Sequence, residues 1–156
     1  NLLLWNGDVI PSACSNVVLR RSAIDAGLRF DTRFSTAADL DFAFRLVALG
    51  PGRLLDERLF TYRVLPQSMS RDLLRAEREL IGVWKKAVTL GLFRNEIFRR
   101  RCFAQLYLVL GGSWWVDGGD RRRALRLLLR AVLSHPWALV QLGRKVQRRL
   151  SAGHRP

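Results

Sequence analysis

Histidine, cysteine and methionine are scarce in this 156-residue sequence, which holds two His, two Cys and one Met. With His135 and His154 as the only imidazoles, a histidine-rich metal site is excluded within the chain, and a Cys–His or Ser–His catalytic pair is thinly supported. Cys14 and Cys102 lie far apart without metal-type spacing, so both read as reduced, buried thiols of a cytosolic protein. Long apolar runs are missing too. The best candidate, Leu106 to Trp115, is interrupted by Gly111 and Gly112 and falls short of the roughly 18 residues that cross a bilayer. Methionine is also missing from position 1: the chain opens on Asn1 and soon enters a strand-like run, which reads as a piece of a longer protein cut within a domain.

What is present is ordinary globular composition, 49% hydrophobic and 26% charged, with a formal charge of +14. The charge is uneven. Residues 1–78 carry 11 Arg against 9 acids, a net +2, whereas residues 79–156 carry 16 Lys and Arg against 4 acids, a net +12. A field of that sign favours anionic partners such as a membrane surface, nucleic acid or a phosphorylated substrate.

Periodicity divides the chain near Pro66. Before it, "IPSACSNVVLR" (10–20) reads as a central strand. Ser22 is a candidate N-cap for one helical turn stopped by Gly27, and a helix over 37–49 buries Leu40, Phe44 and Val47 before Gly50-Pro51-Gly52. Short strands are expected within 53–64, so residues 10–64 read as an α/β fragment. After Pro66 four helices are expected, over 73–90, 95–110, 121–133 and 137–150, with Gly91, Gly111-Gly112 and Pro136 as stops. In the third, Leu125, Leu128, Leu129 and Val132 form the expected apolar stripe and Arg122, Arg123, Arg126 and Arg130 lie mostly away from it. This segment also resembles the closing helix of a tetratricopeptide-type repeat, here a single helical hairpin. Trp84, Trp114, Trp115 and Trp137 are expected to pack between helices, with the Arg-rich face solvated or resting on anionic lipid.

Four signals occur in order: "SACSNVVLRRSAI", the turn "GLRFDTRF", the helix "AADLDFAFRLVALG" and "DERLFTYRVLPQSMSR". Together they resemble the C-terminal half of a family 2 glycosyltransferase catalytic domain of the GT-A type, over roughly residues 10–71. The resemblance implies a Rossmann-like α/β half-domain over 1–72, lacking its nucleotide-binding half, followed by a basic helical region over 73–156. It implies an inverting enzyme that moves a sugar from a nucleotide-diphosphate donor to a sugar or lipid-linked acceptor in cell-envelope polysaccharide synthesis. Asp39 takes the place of the family's general base, the carboxylate that accepts the proton of a weakly nucleophilic hydroxyl.

Its other reading is plain: acids favour a helix start. A helix N-terminus would also hold the Asp39 carboxyl ionised at neutral pH. Asp41 and Arg45 read as an i,i+4 surface pair that orients the helix. Arg63, Ser68 and Ser70 match the segment that closes over the donor diphosphate, with a solvated loop as the alternative. Ser12 and Ser15 either face the acceptor cleft from the strand or simply fill that strand. Two positions depart from the family: Ala38 stands where Glu is usual, and Leu65 where many members carry His. Mg²⁺ or Mn²⁺ would be held by the missing half, since "DLD" opens a helix and is not the family's metal motif. The chain alone is therefore expected to be inactive, and the intact enzyme cytoplasmic or peripheral at the inner face of the membrane. The rival reading is a non-catalytic helical module whose basic residues bind an acidic protein or a membrane. Nucleic-acid binding lacks a recognised reading motif.

Overall fold

The computed structural model describes residues 2–4, 17–53, 57, 61 and 72–143. Among them no strand occurs, and the architecture is helical throughout. A 3₁₀ turn, Leu2–Leu4, precedes five α-helices: α1 Arg21–Asp25, α2 Ala38–Leu49, α3 Leu73–Thr89, α4 Glu96–Ser113 and α5 Arg121–Ser134. A π-helical turn, Trp114–Gly118, joins the last two, and residues 137–143 are again helical.

The expected α/β fold is overturned for these residues. The stretch 17–20 is irregular rather than strand, and Val18, expected inside a sheet, is 98% exposed. A run of β-branched residues carries strand propensity only where a pleated, half-buried surface receives it, and none is found here. Residues 10–16 and most of 53–64 lie outside the described residues; Arg53, Glu57 and Thr61 are described, and none is in a strand. Ser22 is not the cap of α1. Arg20 takes that position without a side-chain bond, and Ser22 instead accepts the Ala26 N–H through its backbone carbonyl.

The chain forms two compact units, 1–93 and 94–156, so α3 belongs with α2 rather than with the helices that follow. In the first unit the buried residues of α2 are Asp41, Phe42, Ala43 and Phe44, while Val47 is exposed. The expected stripe of Leu40, Phe44 and Val47 thus holds fully at Phe44, whose ring meets the fully buried Trp84 of α3 edge-on at 5.0 Å, in part at Leu40, which is half-buried, and fails at Val47. The Phe34 ring lies against Gly82, where a Cβ would stand 3.0 Å from Cε1. Asp72 caps α3 by accepting the Arg75 N–H at 3.0 Å, and the helix ends as Leu92 N–H returns to the Ala87 carbonyl across Gly91 at φ 66°.

The second unit is a hairpin of α4 and α5. Asn95 and Asp120 cap the two helices through the N–H groups of Phe98 and Arg123. Arg100 donates to the carbonyls of Ser134 and Leu133 at the far end of α5, where a cation also suits the dipole. The helices meet through small residues. Ala104, Ala131 and Ala138 form the buried centre with Leu108, and Tyr107, Leu128, Val132 and Leu142 close around it. On α5 the inward residues are Ala124, Leu127 and Ala131, so the expected stripe is displaced: Leu128 and Val132 are partly buried, but Leu125 and Leu129 are exposed. Arg122, Arg126 and Arg130 are exposed as expected. Cys102 is a free, fully buried thiol, pushed up to about 12 by burial; Cys14 lies outside the described residues.

Gly111-Gly112 does not stop α4, which runs on to Ser113. The pair serves packing instead: a Cβ on Gly111 would lie 2.9 Å from Leu128 Cγ and 3.2 Å from the Ala124 carbonyl oxygen, whereas one on Gly112 meets nothing within 4 Å. Gly111→Ala should lower stability by about 1 kcal/mol, overpacking outweighing the gain in helix propensity. Gly112→Ala should raise it by roughly 0.5–1 kcal/mol. Thermal unfolding of the two variants checks the opposite signs.

Candidate functional site

The acidic start of α2 sits on a loop, 31–37, that two charged side chains of α3 hold in place. Glu79 accepts the Ser35 and Ala37 N–H groups at 2.8 and 3.1 Å and the Ser35 hydroxyl at 3.2 Å. Two turns further along α3, Lys86 Nζ lies 2.7 Å from a carboxylate oxygen of Asp31 and 2.7 Å from one of Asp41. Arg45, one turn beyond Asp41, donates from Nε and Nη2 to the same carboxylate at 3.0 and 2.6 Å, and to the Arg29 carbonyl at 2.7 Å. Arg33 forks onto Asp31. The result is an alternating chain of charge, Arg33–Asp31–Lys86–Asp41–Arg45, that links the loop to both helices.

Burial gives this network its weight. Asp41 is 2% exposed, so the expected surface pair with Arg45 forms as a buried one and is shared with Lys86. A buried carboxylate needs compensation on this scale, because removing it from water costs several kcal/mol unless cations and hydrogen bonds replace the hydration shell. The Arg33 and Lys86 side chains hold the Asp31 carboxyl well below the usual carboxylate range. Burial pushes the Glu79 carboxyl up, but the hydrogen bonds from Ala37, Ser35 and Thr36 outweigh it and leave it below its ordinary value.

Asp39 differs in every respect from its neighbour two residues on. Its side chain accepts the Leu40 N–H at 2.7 Å, and among the described residues no cation pairs with it. Half-buried, it is held above the ordinary aspartate range: burial wins, opposed by the Leu40 and Asp39 N–H groups. The helix start opposes that rise through its N–H groups but does not cancel it. α2 thus carries one carboxylate bonded to two cations and, two residues earlier, one that accepts only from backbone N–H groups among the described residues. Thr36 Oγ1, buried in the adjoining loop, has no hydrogen-bond partner among the described residues.

Asp39, Asp41 and Arg45 all lie on α2, where Asp41 and Arg45 bond to each other and Asp39 stands apart from the pair, while Arg63, Ser68, Ser70, Ser12, Ser15 and Leu65 lie outside the described residues. Asp31, Glu79 and Lys86 were not singled out from the sequence. The usable signal was on α3, where Glu79, Val83 and Lys86 recur at i, i+4 and i+7 and place two charges on an otherwise apolar face. The described residues contain no group of three His, Cys, Asp or Glu able to hold a metal. Nor do Asp31 and Asp41 fit a divalent cation, since Lys86 already occupies the space between their carboxylates. Comparison with protein-family models, curated proteins and solved structures finds no match to this chain. No helix among the described residues is long and apolar enough to cross a membrane.

Lys86→Met should destabilise the first unit by about 3 kcal/mol, the cost of stripping one partner from a buried charge pair. Glu79→Gln should cost about 2 kcal/mol and change the pH profile. Because the folded Glu79 carboxyl titrates below its ordinary value of 4.5, its stabilisation is complete above that pH and is lost as acid protonates it. Urea titrations from pH 7 to pH 3 should show a steep acid loss in the parent and a shallower one in Glu79→Gln.

Proposed function

We propose that this chain is part of a nucleotide-sugar glycosyltransferase in which Asp39 is the general base towards the acceptor hydroxyl. The observation that carries the reading is the contrast within α2: Asp41 is neutralised by Lys86 and Arg45, whereas Asp39 has no cation among the described residues and a raised proton affinity. A half-buried carboxylate with no cation beside it and a raised proton affinity is suited to accept a hydroxyl proton. The ordered motifs around the turn "GLRFD" and the helix "AADLDFAFR" add the reaction class by resemblance; the proposal does not need the sheet expected around them.

In this reading the hydroxyl proton passes to Asp39 as the hydroxyl oxygen bonds to the anomeric carbon and the nucleoside diphosphate departs from the opposite face, inverting the centre. The network under the loop fixes where Asp39 stands. Arg63, Ser68 and Ser70 would bind diphosphate oxygens, and Ser12 and Ser15 the acceptor. Mg²⁺ or Mn²⁺ would be bound by residues outside these 156, and would offset charge on the diphosphate. The chain alone is then inactive, and the donor pool argues for a cytoplasmic reaction.

The test uses the longest natural polypeptide that carries this chain, a panel of UDP-, GDP- and dTDP-sugars, and release of the nucleoside diphosphate as readout. Asp39→Asn should lower kcat by roughly 10²–10⁴-fold with the donor KM unchanged. It should also raise the melting temperature at neutral pH: a group titrating above its unfolded value stabilises only the protonated form, so the ionised carboxylate is a burden that the amide removes. Full turnover by Asp39→Asn would sink the assignment.

A further inference from the structure

The outward face of α5 is built from two residue types. Leu125, Leu129 and Leu133, at 56%, 59% and 68% exposure, recur every four residues and so run along one side of the helix. Arg122, Arg126 and Arg130, all exposed, recur with the same spacing one residue out of phase. They line one flank of the leucines. No acid occurs anywhere in α5, and its opposite side is closed by the alanine contact with α4. At the N-terminal end the surface continues into Trp115, 45% exposed, with the Arg121 guanidinium 5.6 Å from its ring, and into Val116, 52% exposed. Three leucines and a tryptophan held in water forgo the free energy of burial, roughly 1.5–3 kcal/mol for each fully covered leucine. Single exposed apolar residues are ordinary; an ordered row of them flanked by one sign of charge calls for a covering surface.

We infer that this face of α5 lies on an anionic lipid surface, with the leucines at the acyl boundary and the arginines among the headgroups. Charge complementarity selects the occupant: residues 94–156 carry 14 Lys and Arg against three acids, a net +11. The amphipathic composition fits an interfacial helix, apolar along one row and arginine-rich beside it, with a tryptophan at the rim where its amphipathic ring prefers to sit. Long arginine stems can lie along the leucines while their guanidinium groups reach phosphates. An anionic bilayer attracts such residues additively, and the leucines supply the component that salt does not screen. Because these residues belong to the second unit and the Asp31–Asp41 network to the first, lipid binding and the chemistry proposed for Asp39 are tested on different residues and stand or fall separately.

The experiment is flotation of the full 156-residue chain with vesicles of phosphatidylcholine containing 30% phosphatidylglycerol, against pure phosphatidylcholine. Circular dichroism serves as the folding control. Binding should be confined to the anionic vesicles. Arg122→Gln, Arg126→Gln and Arg130→Gln together should weaken it by roughly 100-fold. Leu125→Gln, Leu129→Gln and Leu133→Gln together should weaken it at least about tenfold while leaving helicity unchanged, since all three side chains are already in water. Tryptophan fluorescence should shift to the blue on binding, and Trp115→Phe should remove most of that shift. Equal binding to neutral vesicles, no binding to either, or anionic binding indifferent to the leucine changes would overturn the inference. The last outcome would mark simple adsorption of a basic protein, and the absence of binding would turn attention to an acidic protein partner.

Discussion

Lys86 joins parts of the first unit that are 45 and 55 residues away in sequence, by standing between the carboxylates of Asp41 and Asp31. Everything near the acidic end of α2 depends on that arrangement. Asp41 can be buried only because Lys86 and Arg45 replace its hydration shell. The loop before α2 is ordered from both ends, by Asp31 on Lys86 and by the Ser35 and Ala37 amides on Glu79. Buried ion pairs of this kind often contribute little net stability relative to apolar packing, because desolvation takes back most of the attraction. What they supply here is position: the network has one satisfied geometry, and α2 cannot turn about its axis without leaving a buried charge against an apolar wall.

That constraint gives Asp39 its character. Two residues along a helix is about 200° around it, so fixing Asp41 inward sends Asp39 to a different side, away from Lys86 and Arg45. Proximity in sequence therefore produces opposite electrostatics: one carboxylate compensated, the other half-buried and proton-avid. In the reaction proposed above, Asp41 would hold the frame and Asp39 would exchange the proton.

The second unit solves its packing problem by other means. Ala104, Ala124, Ala131 and Ala138 are fully buried beside Leu127, and Gly111 admits Leu128, so α4 and α5 approach closely while Leu125, Leu129 and Leu133 turn outward. An apolar stripe drawn through the largest side chains is therefore displaced: Leu128 and Val132 reach the contact, but Leu125 and Leu129 do not.

Helix positions were legible in the residues themselves, whereas the one cap read from them, Ser22, was not borne out. Periodicity placed α2, α3, α4 and α5 to within a few residues, and Asp72, Asn95 and Asp120 are cap types that announce a helix start. Strand content was misjudged because β-branched runs such as 17–19 lack a local signal for whether a sheet will receive them. Gly111 and Gly112 read as stops when the reason for one of them was a neighbour, Leu128, on another helix. The Asp41–Arg45 pair could be written down from spacing alone, but its burial and the approach of Lys86 could not. By itself, then, the sequence determined where the helices α2 to α5 and the acidic turn lie, since those depend on residues within a few positions of one another. Which acid would be neutralised and which left uncompensated was decided only by tertiary structure, because that depends on a cation brought from 45 residues away and on the water that its arrival excludes.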